Sequence, residues 1–165
     1  MDVRAWNVAI VTANKFEGKL QSDLIRGAGT RRVVVIHDRH AALSEVGQLA
    51  ANIIVLAIGE NVAASLDWVR DLRRATRSPA RKAAVFLTSP HLTISLAEQC
   101  RRAGANAIIG LPISNATLLN TINKVLAKPR PFVETDVYVG PCRRAGIVSA
   151  GTGKYRRKSD EGRAA

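Results

Sequence analysis

Aromatic residues are scarce in this sequence. Phe, Trp and Tyr make up 4% of 165 residues, in a chain whose apolar share is an ordinary 47%. A core built from it must be aliphatic. Cysteine is almost absent, and Cys100 and Cys142 show no metal-ligand spacing. That excludes a zinc site built on cysteine pairs, and two free thiols fit a reducing cytoplasm better than a disulfide framework. No apolar run reaches the roughly 18 residues of a membrane span. The opening MDVRAWN lacks a basic-then-apolar pattern, so a secretory signal is not expected and the protein is placed in the cytoplasm. Acidic residues are outnumbered 13 to 25 by Lys and Arg, for a net charge of +12. Residues 128–165 carry +5 of this and the rest of the chain +7. A field of that sign favours anionic partners without choosing among nucleic acid, nucleotides and acidic surfaces.

What the sequence does have is alternation. VAIVTA (Val8–Ala13) is a short β-branched run, followed by FEGKLQSDLIRGAG, where Phe16, Leu20, Leu24 and Ile25 fall at helical spacing and Gly27 or Gly29 is a natural stop. RRVVVIHD gives a second strand, and HAALSEVGQLA a helix with Ala42, Val46 and Leu49 on one face. NIIVLAIGEN, Asn52 to Asn61, reads as a third strand. The next helix turns Leu66, Val69 and Leu72 inward and its arginines outward. AAVFLTS, LTISLAEQCRRAGA, NAIIGLP and SNATLLNTINKVLA complete the series, with Ser114 or Asn115 as the last N-cap and Lys128-Pro129 as the last stop. Strands this apolar must be covered on both faces. The expected fold is therefore α/β, a doubly wound five-stranded parallel sheet in the flavodoxin-like order 2-1-3-4-5. Residues 1–128 form this domain. Residues 129–165, rich in Pro, Gly and basic pairs without sustained period, are expected to be a basic, largely disordered tail. Its apolar patch, Phe132 to Val139, could dock on the domain or on a partner.

Chemistry in such folds sits at the C-terminal ends of the strands. The third strand delivers only Ala57 there. His37, His40 and His91 lie in loops and lack further sequence-near ligands except Asp38, so no metal site is expected. SAGTGK (Ser149–Lys154) lacks the first glycine and the closing Ser/Thr of a phosphate loop, and is read as a spacer. RDLRRATRSPARK, Arg70 to Lys82, makes a basic helical face. In the tail, Arg143, Arg144, Arg156 and Arg157 stand near Tyr138 and Tyr155, a combination suited to phosphates and flat bases. No nucleophile–base pair, metal cluster or glycine-rich phosphate loop appears at a strand end, so an enzyme is not expected and no cofactor is assigned.

The strand ends carry a resemblance. IVTAN, IIVLA, FLTS and GANAIIGLPIS (Gly104–Ser114), in this order and spacing over roughly residues 7–127, resemble the CheY-like receiver domain of bacterial response regulators. The family's pattern is an acidic pair, a phospho-accepting Asp, a Thr or Ser, and a Lys before Pro. The resemblance implies phosphoryl transfer to Asp with Mg²⁺ held by carboxylates. Position by position, this chain has Thr12 and Ala13 for the acidic pair, Ala57 for the acceptor, Leu111 for the Lys and Ile108 for the strand-five aromatic; only Thr88 remains. The nearest carboxylates, Glu17 and Glu60, lie past their strand ends. The chain thus resembles a pseudo-receiver.

The function this implies is a non-catalytic signalling adaptor in two-component signalling, acting by protein–protein interaction. Its partner would be a histidine kinase, a response regulator or a motility component. In the receiver family the helix 4–strand 5–helix 5 face docks partners, and here that face corresponds to Gln99, Arg101, Arg102, Ile108, Thr117, Asn120 and Lys124. One CheY-like subfamily binds cyclic di-GMP through an arginine-rich extension after the receiver domain. The tail here is similar in placement, so a cyclic dinucleotide gripped by it is the first alternative and nucleic acid on the basic surface the second.

Overall fold

The computed structural model of the chain describes residues 3–144. A 3-10 turn, Val3–Ala5, precedes β1 (Asn7–Val11), α1 (Lys15–Gly27), β2 (Arg32–Ile36), α2 (Arg39–Gln48), β3 (Ile53–Ala57) and α3 (Val62–Arg74). A second 3-10 turn, Pro79–Lys82, leads to β4 (Ala84–Ser89), α4 (Ile94–Ala103), β5 (Ala107–Gly110) and α5 (Asn115–Ala127). Two short strands follow, β6 (Phe132–Glu134) and β7 (Val139–Pro141). The five long strands pair in parallel in the order β2-β1-β3-β4-β5, as the alternation implies.

Every residue of β3 and β4 is buried. Along β3 the side chains alternate between two cores. Ile54 and Leu56 pack with Val46, Leu66, Val69, Leu72 and Leu96 of α2, α3 and α4. Ile53 and Val55 pack with Ile25, Leu118 and Ile122 of α1 and α5. Each such aliphatic side chain contributes about 1.5–3 kcal/mol relative to leaving it in water. The helix caps follow sequence: Asn14, Asp38, Asn61, Thr93 and Ser114 each accept a backbone N–H. Gly104 ends α4 in the left-handed region, at φ +104°.

Three expectations are corrected. First, α1 does not bury Phe16 and Leu20, which are 78% and 43% exposed. Its inner face is Gly18, Gln21, Ser22 and Ile25. Helix and sheet approach so closely that a Cβ on Gly18 would lie 2.7 Å from Val35 Cγ1 and 3.0 Å from Thr12 Cγ2. The small residue, not the large ones, sets the inner face.

Second, one arginine of α3 faces in. Arg73 is completely buried. Among the described residues it has no carboxylate partner; its guanidinium is solvated by backbone carbonyls and one side-chain amide oxygen instead. Nε and Nη2 donate to the Gly104 carbonyl (3.0 and 2.8 Å), Nη1 to the carbonyls of Arg81 and Ala83 (both 2.8 Å), and Nη2 also to Asn106 Oδ1 (3.0 Å). Burial pulls its pKa down to about 10, opposed by Tyr138, so it remains charged at neutral pH. This cation ties the start of β4 to the start of β5.

Third, residues 129–144 are not a loose extension. β6 and β7 form an antiparallel hairpin packed beside α3. Phe132 lies under Arg81, Lys82 and Arg73, at 5.3, 5.7 and 5.9 Å from its ring centre. Arg81 also pairs with Glu134 at 2.6 Å. Gly140, at φ +152°, sits against Gly104, where an added Cβ would be 3.1 Å from the Gly104 Cα and 2.9 Å from the Tyr138 hydroxyl. Two three-residue strands carry no readable period, which is why composition alone suggested disorder.

Replacing Arg73 by Met should strand these carbonyls without a donor. The expected loss is at least about 3 kcal/mol, read as a lower urea midpoint at an unchanged slope.

Candidate functional site

The C-terminal edge of the sheet opens into a cleft of about 770 Å³, lined by the ends of β1, β3 and β4 and the loops that follow. All five residues read as the altered phosphorylation site line it: Thr12, Ala13, Ala57, Thr88 and Leu111. Val11 is level with Leu56, and Ala57 with Thr88, so Thr12, Ala57 and Thr88 form one row across β1, β3 and β4.

A carboxylate bridges the ends of that row. Asn14 caps α1 by accepting from the amides of Phe16 and Glu17 (3.0 and 3.1 Å), which fixes the first turn over the sheet edge. Glu17, half-buried on that turn, accepts from Thr12 Oγ1 (3.4 Å), Thr88 Oγ1 (3.2 Å) and Gln21 Nε2 (2.8 Å). Both threonines and Gln21 are buried. The carboxylate therefore spans β3 from β1 to β4, across the methyl group of Ala57.

A cation reaches the same strand end from the other side. Arg39, the first residue of α2 behind its N-cap Asp38, donates from Nη2 to the Ala57 carbonyl (3.0 Å) and from Nη1 to Ser65 Oγ (2.9 Å). Gly59 leaves it room: a Cβ there would lie 3.4 Å from Nη2. His37, on the β2–α2 loop, bonds the Thr12 carbonyl through Nδ1 at 2.8 Å. Sequence reasoning looked for a cation at Leu111 and missed Arg39. The signal was a basic residue three positions past a strand end, at a helix start on the sheet's functional edge.

The Mg²⁺ of receiver chemistry does not fit these residues. The acidic pair is Thr12 and Ala13, and Glu17 has its oxygens engaged by three protein donors. Among the described residues no group of three or more His, Cys, Asp or Glu is placed to hold a metal ion. What the arrangement does is hold its own charges: a carboxylate and a guanidinium line the cleft, each hydrogen-bonded within the chain.

The other predicted residues lie elsewhere. Tyr138 is buried at the hairpin, its hydroxyl donating to the Pro141 carbonyl (2.6 Å), and burial pushes the phenol pKa up. Arg143 stacks on its ring at 4.3 Å, and Arg144 is exposed beside it. Tyr155, Arg156, Arg157 and the SAGTGK stretch lie outside the described residues. Gln99, Arg102, Thr117, Asn120 and Lys124 are exposed around the β5 edge, while Arg101 and Ile108 are half-buried. Arg101 is held by Glu98 (2.8 Å) and by the Arg143 carbonyl (3.1 Å). Cys100 is a buried free thiol, and burial raises its pKa to about 11.

The bridge suits a methyl group at position 57. An Asp there would set a second carboxylate beside Glu17 at a buried edge. Ala57→Asp should destabilise the fold by about 1–3 kcal/mol at neutral pH. A carboxyl whose folded pKa is raised loses stability as pH rises through that value, so the deficit should shrink towards about pH 5. Adding Glu17→Gln should remove most of it, as urea midpoints at the two pH values will show.

No protein-family model matches the sequence, and no curated protein matches it. Solved structures do match in fold. The chemotaxis protein CheY4 of Vibrio cholerae is 18% identical at a TM-score of 0.65, over 73% of this chain and 98% of that one. The receiver domain of a Pseudomonas aeruginosa sensor histidine kinase, which holds a magnesium ion in its active-site cleft, is 17% identical at 0.63, over 74% and 98%. A pilus assembly-related protein of Burkholderia pseudomallei is 16% identical at 0.66, over 77% and 93%. At such identities the likeness speaks to fold: this chain has the architecture of CheY-like receiver domains.

Proposed function

We propose that the chain is a signalling adaptor of the receiver fold that performs no phosphoryl chemistry and acts by binding other proteins. The observation that carries this reading is the Glu17 bridge between Thr12 and Thr88, over Ala57. A receiver site must accept a phosphoryl group, a divalent cation and a change in the positions of its polar groups. Here no acceptor carboxylate stands on β3, and the hydroxyl of Thr88 is already committed to a carboxylate of the same chain. The adaptor presents one fixed surface, and its control comes from abundance, from a bound ligand or from the residues after the domain.

The docking surface in this reading is the β5 edge, with Gln99, Asn120 and Lys124 exposed on the flanking helices α4 and α5. The tail-grip alternative gains little support: Arg143 already stacks on Tyr138, and its carbonyl already holds Arg101.

The test is capture of partners from the native cell on immobilised full-length chain. Wild type should retain a defined signalling protein, with retention unchanged by acetyl phosphate and Mg²⁺. Gln99→Ala, Asn120→Ala and Lys124→Glu together should lower retention about tenfold, the scale on which a few central residues dominate an interface. Retention that depends on acetyl phosphate, or that ignores the three substitutions, contradicts the proposal.

A further inference from the structure

The end of the molecule opposite the cleft carries arginines that neither the core nor the candidate site uses. α3 runs back from the cleft to the N-terminal edge of the sheet and turns there into the Ser78–Lys82 segment. Arg70, Arg74 and Arg102 converge on a small notch between α3, α4 and the hairpin, about 60 Å³ in volume and closed by Val137, Tyr138 and Val139. Arg74 also reaches a shallow depression on the other side of α3, where Arg77 joins it. Arg74, Arg77 and Arg102 are exposed. Arg70 pairs with Asp67 at 2.5 Å, and Arg102 with Glu98 at 3.1 Å. Arg74 and Arg77 have no hydrogen-bond or ion-pair partner among the described residues. Asp71 and Asp136 are the remaining exposed acids nearby.

The chemistry of the flank separates the classes of polyanion. A stable protein interface is anchored by buried aromatic or aliphatic side chains, and stable anchoring on an anionic membrane takes inserted apolar groups besides basic ones. Among the described residues, the large hydrophobic exposed at this end is Val137, at 88%; Leu92 and Ile94, also exposed, lie at the opposite, cleft-side end of α4. Single-stranded nucleic acid needs aromatic rings for its bases, and here Tyr138 is buried under Arg143. The backbone of a duplex needs none of these. It asks for guanidinium groups spaced along a line, each able to fork onto a phosphate. Arg70 and Arg74 are one helical turn apart, a rise of about 6 Å, with Arg77 beyond them and Arg102 alongside.

We propose that the α3–α4 flank binds the phosphate backbone of double-stranded nucleic acid, without base-specific contacts, through Arg70, Arg74, Arg77 and Arg102. This function sits at the other end of the fold from the cleft and does not depend on the adaptor reading.

The test is fluorescence anisotropy of the full-length chain with a labelled random-sequence duplex. With about four phosphates neutralised, log affinity should fall with log salt at a slope of about −3 to −4. Arg74→Gln, Arg77→Gln and Arg102→Gln together should weaken binding at least about tenfold and flatten the slope by about 2–3. A charge-matched control away from the flank, Lys15→Gln, Lys19→Gln and Arg31→Gln, all at exposed positions, should stay within about twofold if site rather than net charge governs binding. Circular dichroism of both triple variants should match wild type. The proposal is overturned by absence of duplex binding, by equal losses in flank and control variants, or by a single strand binding more tightly than the duplex. It is equally overturned if the flank arginines govern binding to polyglutamate or to phosphatidylglycerol vesicles but not to the duplex.

Discussion

A strand buried on both faces can place polar chemistry only at its ends, and β3 and β4 are buried throughout. That constraint organises the whole molecule. Helices must cover both sides, so the chain alternates strand and crossover, and everything polar is pushed to two edges. At the C-terminal edge the fold meets a carboxylate and a guanidinium of its own, Glu17 and Arg39, drawn onto the row of Thr12, Ala57 and Thr88. At the N-terminal edge it meets Arg73, a cation satisfied by carbonyl groups alone.

These two solutions have different consequences. Arg73 is structural. Its carbonyl partners belong to the segments entering β4 and β5, and its aromatic neighbours belong to the hairpin, so one side chain fastens the last part of the described chain to the first five strands. With Phe132 and Tyr138 turned inward, that hairpin leaves arginines as the outward face of this end. In the proposed reading Glu17 and Arg39 bear on function instead. They occupy the edge where the receiver fold does its chemistry, and the hydrogen bonds they make are internal. The same architecture that holds a magnesium ion in the histidine-kinase receiver domain is here arranged around charges that the chain supplies itself.

Sheet order and element positions were legible because they rest on apolar runs and alternation, which burial enforces strongly. That Thr12, Ala57, Thr88 and Leu111 line one cleft was legible for the same reason: they stand at strand ends, and register brings strand ends together. What escaped were contacts made by side chains reaching in from elsewhere. The inner face of α1 follows Gly18 rather than Phe16, because close approach of helix to sheet outweighs the burial of one aromatic ring. Arg73 breaks the rule that charged residues face out, and only three-dimensional convergence of carbonyl groups reveals why. Arg39 opens α2, and its partners, the Ala57 carbonyl and Ser65 Oγ, are distant in sequence. Glu17 was visible as a nearby carboxylate, but its bridging role depends on a helix turn and two strands that are distant in sequence.

The proposed reading is that the polar groups at this edge are engaged within the chain and that the edge accepts no phosphoryl group. The most direct measurement is the amide NMR spectrum of the full-length chain titrated with beryllofluoride and Mg²⁺. The account predicts resonances of Ala57, Gly59 and Thr88 that stay in place throughout. Saturable shifts of those resonances that require both beryllofluoride and Mg²⁺ would contradict it.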